Sequence, residues 1–214
     1  MKNDIQKLWS YLVERKKKNL LWVLSGPSGS GKTTLCQHLL RKKYLGLERS
    51  ISYTTRPRRK GEIDGEDYFF ISRSKFLELE KRGEFLEWQE VFGNFYGTSK
   101  KFVESMLAEG KDVVLSIDVK GAKEIRRQFS DRSVLIFIIP PNEEALRRRL
   151  HIRGDEGKKE MQRRLNFAKV EISYAPIYDY VIINDNLKQA VNDLEIIIKA
   201  KRLENVVRSI REIN

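Results

Sequence analysis

The residues best suited to do chemistry lie in a glycine-rich turn that follows the apolar run 20–24 and precedes a helical pattern. The turn reads Gly26-Pro27-Ser28-Gly29-Ser30-Gly31-Lys32-Thr33. This spelling fits G-x-x-x-x-G-K-[ST], in which backbone N–H groups curl around phosphate oxygens and the next helix directs its positive end at them. Lys32 can reach the β- and γ-phosphates of a nucleotide, and the Thr33 hydroxyl can join a Mg²⁺ shell. The sequence therefore predicts a nucleotide site, and a plain surface turn is the alternative.

A second group of cations surrounds a proline turn farther along the chain. Arg56 and Arg59 are three residues apart, and the fork of a guanidinium group matches phosphate oxygens. The hydroxyl groups of Ser52, Tyr68 and Tyr96 can add neutral donors. Two interpretations stay open at this point. The segment is either a clamp for a second phosphate or an exposed basic loop whose tyrosines pack in a small core.

The chain as a whole is strongly basic. Its 214 residues carry a net charge of +12, with 40% hydrophobic and 34% charged residues, which suits one domain with insertions. The excess fits nucleic acid, two phosphorylated small molecules or a solvated basic surface. Cys36 is the single cysteine, so an intramolecular disulfide is excluded. Because no apolar run reaches the ~20 residues of a membrane span and the N-terminus lacks a signal-peptide core, we expect a soluble cytoplasmic protein.

Segments with helical and strand periodicity alternate along the chain. An amphipathic stripe predicts a helix over residues 1–18, outside the main body. The main body has predicted strands at 20–24, 47–53, 112–117, 134–139 and 180–183, separated by predicted helices. This alternation predicts an α/β fold with a parallel sheet covered by helices on both faces. Residues 52–98 combine short strands with one short helix, and we expect them to form a small insertion.

Several segments, taken in order, resemble the guanylate kinase family, bacterial type. They are SGPSGSGKTTL, SYTTRPRRKGEIDGEDYFF, FLEWQEVFGNFYGTS, IDVKGA, RRRLHIRG, RRL and DYVIIND, within about residues 20–202. The resemblance implies a P-loop nucleoside monophosphate kinase fold for a guanylate kinase-like domain at 19–214. Its implied parts are a core formed by 19–51, 99–148 and 165–214, a GMP-binding insertion at 52–98 and a helical lid at 149–164.

The resemblance also implies the residues of the GMP side. The implied GMP-binding residues are Ser52, Arg56, Arg59, Tyr68 and Tyr96 at the phosphate, and Glu87 and Thr98 at guanine, with Asp118 close by. The chemistry agrees, because guanine offers its N1–H and 2-amino donors to one carboxylate and its O6 acceptor to a hydroxyl. Adenine has no N1–H and would leave Glu87 unpaired, which can be worth ~10⁴–10⁵ in discrimination. A salt-bridged surface carboxylate is the alternative at Glu87.

The ATP side and the catalytic residues follow from the same resemblance. The implied ATP-binding residues are Gly26, Pro27, Ser28, Gly29, Ser30, Gly31, Lys32, Thr33, Thr34, Asn184 and Asp185. The implied catalytic residues are Lys32, Arg56, Arg149, Arg153 and Arg164, and Mg²⁺ is the implied cofactor, held by Thr33 with the ATP phosphates. Arginines placed at the transferred phosphoryl group can contribute ~10³–10⁵ in rate, although a solvated basic helix explains some cations there. A general base is unnecessary, since a phosphate with a second pKa of about 6 is largely ionised at neutral pH.

Two positions depart from the family pattern. Where the family commonly has Asp-Ile-Asp, this chain has Ser116-Ile117-Asp118, which puts a direct Mg²⁺ role there in doubt. Lys120 stands where a glutamine is usual and adds positive charge near the acceptor. Both departures bear on turnover and leave the loop and the base pocket intact.

The sequence thus predicts an ATP:GMP phosphotransferase that forms ADP and GDP in purine nucleotide metabolism. Another nucleoside monophosphate kinase is one alternative, distinguished by the base pocket. A non-catalytic guanylate kinase-like binding module is another, and it needs no working ATP loop. A nucleic-acid-binding protein is a third, expected to show salt-dependent affinity. The expected partners are ATP and GMP, with no nucleic acid and no membrane, for a monomer or a homo-oligomer.

Overall fold

The computed structural model describes residues 19–152 and 158–211. The strands are β1 Leu21–Ser25, β2 Leu47–Arg49, β3 Tyr53–Thr54, β4 Phe69–Phe70, β5 Phe85–Val91, β6 Asn94–Ser99, β7 Asp112–Ser116, β8 Ser133–Ile139 and β9 Tyr180–Ile183. The helices are α1 Lys32–Arg41, α2 Arg73–Lys81, α3 Lys100–Ala108, α4 Val119–Gln128, α5 Glu143–Ile152, α6 Lys158–Ile172 and α7 Leu187–Arg211. The predicted helix over 1–18 lies outside the described residues, and so does Arg153.

The central sheet has five strands in the order β2-β7-β1-β8-β9. Every pairing in it is parallel, so the carboxyl ends of these strands meet at one edge, where α/β sheets bind ligands. Helices α1 and α7 pack on one face of this sheet, and α3 and α4 pack on the other. The predicted parallel sheet with helices on both faces is therefore confirmed.

The core is built around β1 and β8, two of the three inner strands of this sheet. All five residues of β1 are buried, and among the described residues Trp22 is the largest fully buried side chain. A strand that is apolar on both faces fits only between two helical layers. Helices α5 and α6 form a smaller cluster of their own through Leu146, Leu150 and Leu165.

A buried carboxylate ties the last helix to the sheet. Asp112 is 5% exposed and accepts hydrogen bonds from the Leu20 amide at 3.0 Å and from Trp22 Nε1 at 3.2 Å. The guanidinium group of Arg202 in α7 donates to the same carboxylate through Nε at 2.9 Å and Nη2 at 2.6 Å. Arg202 Nη2 also donates to the Leu45 carbonyl oxygen at 2.6 Å. Arg202 therefore joins three separate parts of the chain.

A second sheet has four strands in the order β4-β3-β6-β5. The predicted single strand over 47–53 is wrong, because the chain leaves the central sheet after Arg49 and enters this second sheet at Tyr53. The hairpin formed by β5 and β6 turns at Phe92 and Gly93, because Val91 pairs with Asn94. An aromatic core joins this sheet to α2, with Phe76 stacked on Phe85 at 4.4 Å between ring centroids.

Within residues 19–152 and 158–211, no helix combines the length and the apolar character needed to cross a bilayer.

Candidate active site

The glycine-rich loop connects β1 to α1 at the carboxyl edge of the central sheet. Gly26 has φ = 131°, and a Cβ there would lie 2.1 Å from the carbonyl oxygen of Ile138 in the neighbouring strand, so only glycine fits. Lys32 Nζ donates to the carbonyl oxygens of Gly26 at 2.6 Å and Pro27 at 3.0 Å. The ammonium group thus lies folded over the loop at the start of α1, where the helix dipole favours an anion.

The outer side of the loop is braced by the end of β9 and by α5. Asn184 Nδ2 donates to the Ser30 carbonyl oxygen at 2.8 Å, and a Cβ on Gly31 would lie 2.3 Å from that same nitrogen. Arg149 Nη2 donates to the Asn184 carbonyl oxygen at 2.7 Å, and its Nη1 donates to Ser30 at 3.5 Å. Arg149 and Asn184 therefore stabilise the conformation of the loop from outside the cavity lining.

A cavity of about 760 Å³ opens on the inner side of the loop. The sequence-predicted residues that line it are Gly26, Ser28, Gly29, Gly31, Lys32, Thr33, Thr34, Ser52, Arg56, Arg59, Tyr68, Glu87, Tyr96, Asp118 and Arg164. Of the predicted residues within the described chain, those outside this lining are Pro27, Ser30, Thr98, Arg149, Asn184 and Asp185. The structure thus brings three groups to one cavity. They are the glycine-rich loop, the cation cluster formed by Arg56 and Arg59 between β3 and β4, and the carboxylate of Glu87.

The cation cluster is already organised by a carboxylate. Arg56 Nη2 donates to both oxygens of Glu62, at 2.7 and 2.9 Å, and the Arg59 amide donates to Glu62 at 2.8 Å. The Arg56 guanidinium also lies 5.5 Å from the centroid of the Tyr68 ring and 5.7 Å from that of Phe70. These contacts fix its orientation at the cavity wall.

Two tyrosines stand beside this arginine. The rings of Tyr68 and Tyr96 meet edge to face, with 6.0 Å between centroids. Burial raises the pKa of Tyr68, and the nearby Tyr96 adds to the effect. The Tyr68 hydroxyl therefore keeps its proton and can donate a hydrogen bond at neutral pH.

The Glu87 carboxylate, which lines the cavity, is hydrogen-bonded to the Thr98 hydroxyl, which lies outside the lining. Glu87 in β5 and Thr98 in β6 are cross-strand partners, 7% and 0% exposed. Thr98 Oγ1 donates to Glu87 Oε1 at 2.5 Å. Burial raises the pKa of Glu87 to about 8; the Thr98 hydrogen bond opposes this, while Asp118 and Glu124 add to it.

The first turn of α4 lies against the Glu87 carboxylate. Asp118 caps the helix by accepting a hydrogen bond from the Gly121 amide at 2.7 Å, and burial raises its pKa. A Cβ on Gly121 would lie 2.4 Å from Glu87 Oε2. The Glu87 carboxylate therefore occupies the space that any larger residue at position 121 would need.

Sequence reasoning missed one buried acid in the same cavity. Glu171 in α6 is 4% exposed, and among the described residues its Oε2 has no hydrogen-bond partner. Burial raises its pKa to about 7; Lys32 and the Ser28 amide lower it, and Asp118 raises it. Glu171 lies outside every motif quoted above, so the sequence offered no signal for it. Glu62, also missed, could have been found as the acid inside a cation-dense segment.

Comparison with known proteins agrees with this geometry. The family profile described as Guanylate kinase matches residues 18–201. The guanylate kinase of Symbiobacterium thermophilum is 48% identical over 194 residues, which is 91% of this chain and 91% of that relative. The guanylate kinase of Hahella chejuensis is 48% identical over 191 residues, covering 89% and 91% of the two chains.

A solved structure gives the same result for the fold. The crystal structure of guanylate kinase from Anaplasma phagocytophilum superimposes with a TM-score of 0.76 at 37% identity, over 89% of this chain and 90% of that one. The predicted family and the predicted P-loop nucleoside monophosphate kinase fold are confirmed. The chain therefore belongs to the guanylate kinase family, the nucleoside monophosphate kinases that phosphorylate GMP with ATP.

Proposed function

We propose that this chain transfers the γ-phosphoryl group of ATP to GMP across the 760 Å³ cavity, giving ADP and GDP. The observation that carries the proposal is the lining of this one cavity. Phosphate-loop residues, among them Lys32 and Thr33, line one part of it, and the buried carboxylate of Glu87 lines another. A donor and an acceptor nucleotide bound at these two places would have their phosphates near one another, which is what in-line transfer requires.

Guanine recognition in this proposal depends on a change of hydrogen-bond partners. A hydroxyl has one proton, and that of Thr98 is directed at Glu87 here. When guanine binds, its N1–H and 2-amino groups would donate to the Glu87 carboxylate, and Thr98 would turn its proton to O6. Adenine presents no N1–H to the carboxylate, so a buried acceptor would stay unsatisfied.

The acceptor phosphate would bind at the cation cluster. Arg56 and Arg59 supply guanidinium and amide donors, and the hydroxyl groups of Ser52, Tyr68 and Tyr96 complete the set. Because Arg56 is held by Glu62 and two aromatic rings, its side chain loses little conformational freedom when phosphate binds.

The cavity has oxygen donors that fit a Mg²⁺ ion bound with the ATP phosphates. Thr33 lines the cavity, and Glu171 presents there a buried oxygen without a hydrogen-bond partner in the described chain. Mg²⁺ keeps several waters and takes only one or two protein oxygens, so we assign Thr33 as a ligand and Glu171 as an acceptor for a bound water. When bound, the ion would neutralise charge on the phosphate oxygens. Ser116 lines the same cavity with a neutral hydroxyl.

The remaining cations would stabilise the charge that spreads over the transferred group. Lys32 and Arg164 line the cavity and are the residues we assign to this role, together with Arg56. Arg149 contacts the loop backbone instead, so we assign it to holding the loop. Arg153 keeps its implied catalytic role as a proposal. The GMP phosphate is largely ionised at neutral pH and attacks directly.

A coupled assay of ADP release tests the proposal. The chain is supplied with ATP and Mg²⁺, and GMP, dGMP, AMP, UMP and CMP are offered separately. We expect turnover only with the guanine nucleotides. Turnover with AMP or UMP would keep the kinase and reject the Glu87 pocket. Folded protein that binds GMP without turnover would instead indicate a non-catalytic binding module.

We also infer the setting of this activity. The cavity uses several of the basic residues, including Arg56, Arg59, Lys60 and Arg164, which supports small-molecule nucleotides as the partners in place of nucleic acid or a membrane. We place the protein in the cytoplasm, as a monomer or a homo-oligomer. Light scattering would give the assembly state, and a salt titration of RNA binding would test the excluded partner.

A further inference from the structure

The β5–β6 hairpin ends in a turn whose first residue has a costly backbone conformation. Val91 pairs with Asn94, so Phe92 and Gly93 form a two-residue loop with φ values of 50° and 76°. Hairpin turns with positive φ at both positions are normally made by Asn-Gly or Gly-Gly. Within the described chain, Phe92 is the one non-glycine residue with positive φ. A bulky side chain is strained there, and such strain persists where surrounding contacts hold it.

The Phe92 ring contacts side chains of the helix α6. Its centroid lies 5.0 Å from that of Phe167, with the two rings tilted by 57°. The guanidinium groups of Arg163 and Arg164 lie 5.3 and 5.6 Å from the same ring. Tilted aromatic pairs and guanidinium groups over ring faces are attractive contacts. The tip of the GMP-side hairpin is therefore docked on α6.

The two arginines differ in where they point. The Arg163 side chain is 66% exposed, whereas that of Arg164 is 13% exposed and lines the cavity together with Phe92 and Phe167. Glu160 lies 3.6 Å from Arg164 Nε on the same helix. The Phe92 ring thus forms a wall against which the inward guanidinium lies. Removing the ring would leave this cation with more freedom to turn.

We propose that Phe92 is a positioning residue for phosphoryl transfer. Its docking against Phe167 joins the acceptor-binding hairpin to α6 and holds the Arg164 guanidinium over the cavity. This role rests on the proposed function, in which Arg164 stabilises the transferred group. A misplaced cation weakens stabilisation of the transition state more than it weakens binding of either nucleotide.

A substitution at Phe92 can separate this role from a purely structural one. Asparagine suits the first position of such a turn, so in Phe92→Asn the relief of backbone strain should offset the ring contacts that are lost, and stability should stay close to that of the wild type. The same change removes the ring beside Arg164. Under the proposal, kcat therefore falls while stability is retained. If Phe92 served only to stabilise the hairpin, kcat would be retained together with stability.

The experiment compares Phe92→Asn, Phe92→Tyr and Phe167→Leu with the wild-type chain. We expect Phe92→Asn to lower kcat about tenfold while the Kd for ATP changes by less than about twofold. Phe92→Tyr, which keeps the ring, should restore most of kcat. Phe167→Leu should lower kcat as well, and the double variant should lose little more than either single one, because both act through one contact.

A matched control and the contrary results are available in the same chain. Tyr44→Ala removes an exposed ring that also lies under two cations, Lys42 at 5.9 Å and Lys199 at 5.6 Å, away from the cavity, and kcat should be unchanged. Wild-type kcat in folded Phe92→Asn would overturn the proposal, and so would independent, multiplying losses in the double variant. Absence of GMP-dependent turnover in the wild type would instead reject the proposed function, and this role with it.

Discussion

Replacing Gly121 by alanine tests how the guanine pocket is built. A Cβ at this position would lie 2.4 Å from Glu87 Oε2, 3.0 Å from Glu87 Cδ and 3.3 Å from Asp118 Oδ1. Since non-bonded heavy atoms prefer a separation of about 3.5 Å, the Glu87 carboxylate must retreat by about 1 Å. It is buried and bonded to Thr98, so this retreat removes it from the position where guanine would meet it.

Two quantities are affected by this change, the free energy of unfolding and the KM for GMP. In an ordinary helix, Gly→Ala stabilises by about 1 kcal/mol, and α4 should gain some of this. A hydrogen bond to a charged group is worth about 1.5–3 kcal/mol, and at 1.4 kcal/mol per tenfold the loss of one such bond raises the KM for GMP about 10- to 100-fold. The KM for ATP, bound at the loop, should not change. The variant should therefore be as stable as the wild type and poor in GMP recognition.

The assay is ADP release at saturating ATP with GMP varied, alongside urea unfolding. The Glu87→Gln background supplies the control, because alanine at position 121 should cost little more once the carboxylate is gone. An unchanged KM for GMP, or equal increases for GMP and ATP, would refute the geometric reasoning. So would a full additional loss in the Glu87→Gln background.

Three further predictions address the loop, the base pocket and the core. Lys32→Ala should abolish transfer with the fold retained, as shown by circular dichroism, since no other loop side chain carries a cation to the β- and γ-phosphates; near-normal turnover would remove Lys32 from the site. Burial raises the pKa of Glu87 to about 8, and only the ionised carboxylate accepts both guanine donors. GMP affinity, measured by calorimetry, should therefore increase as the pH is raised from about 7 to about 8.5. Glu87→Gln should remove this pH dependence. Arg202→Ala should lower the free energy of unfolding by about 3 kcal/mol, because it leaves the buried Asp112 carboxylate without its cation; Lys201→Ala, which breaks a more exposed pair with Glu204, should cost less than about 1 kcal/mol.

The parts of this molecule that sequence reasoning predicted depend on short-range rules. The glycine-rich turn is specified within its own few residues, because Gly26, Gly29 and Gly31 all have the positive φ values that favour glycine. The alternation of apolar strands with amphipathic helices likewise specifies a parallel sheet with two helical layers. The direction of the chain after Arg49 is different. Local strand propensity continues through 47–53, and only the competition between two sheets explains why the strand ends there.

The parts that were missed depend on contacts between distant segments. Glu171 reaches the loop only because α6 packs across the cavity, and the sequence around it is that of an ordinary helix. Phe92 opposes its local preference, since a turn of this kind favours Asn or Gly, and its contact with Phe167 supplies the reason. The resemblance implied a catalytic role for Arg149. In the structure its side chain donates to the backbone carbonyl oxygens of Ser30 and Asn184, a contact between distant segments that its motif does not predict.

The pair formed by Arg56 and Glu62 has a consequence for ligand choice. Under the proposed function, the phosphate of the acceptor nucleotide must displace the Glu62 carboxylate from Arg56 in order to bind there. A dianion can displace Glu62, because it gains more from the guanidinium than the single carboxylate loses. Guanosine brings the correct base and no charge, and it leaves the pair intact. The enzyme would therefore reject nucleosides by competition from its own internal counterion, without any steric device.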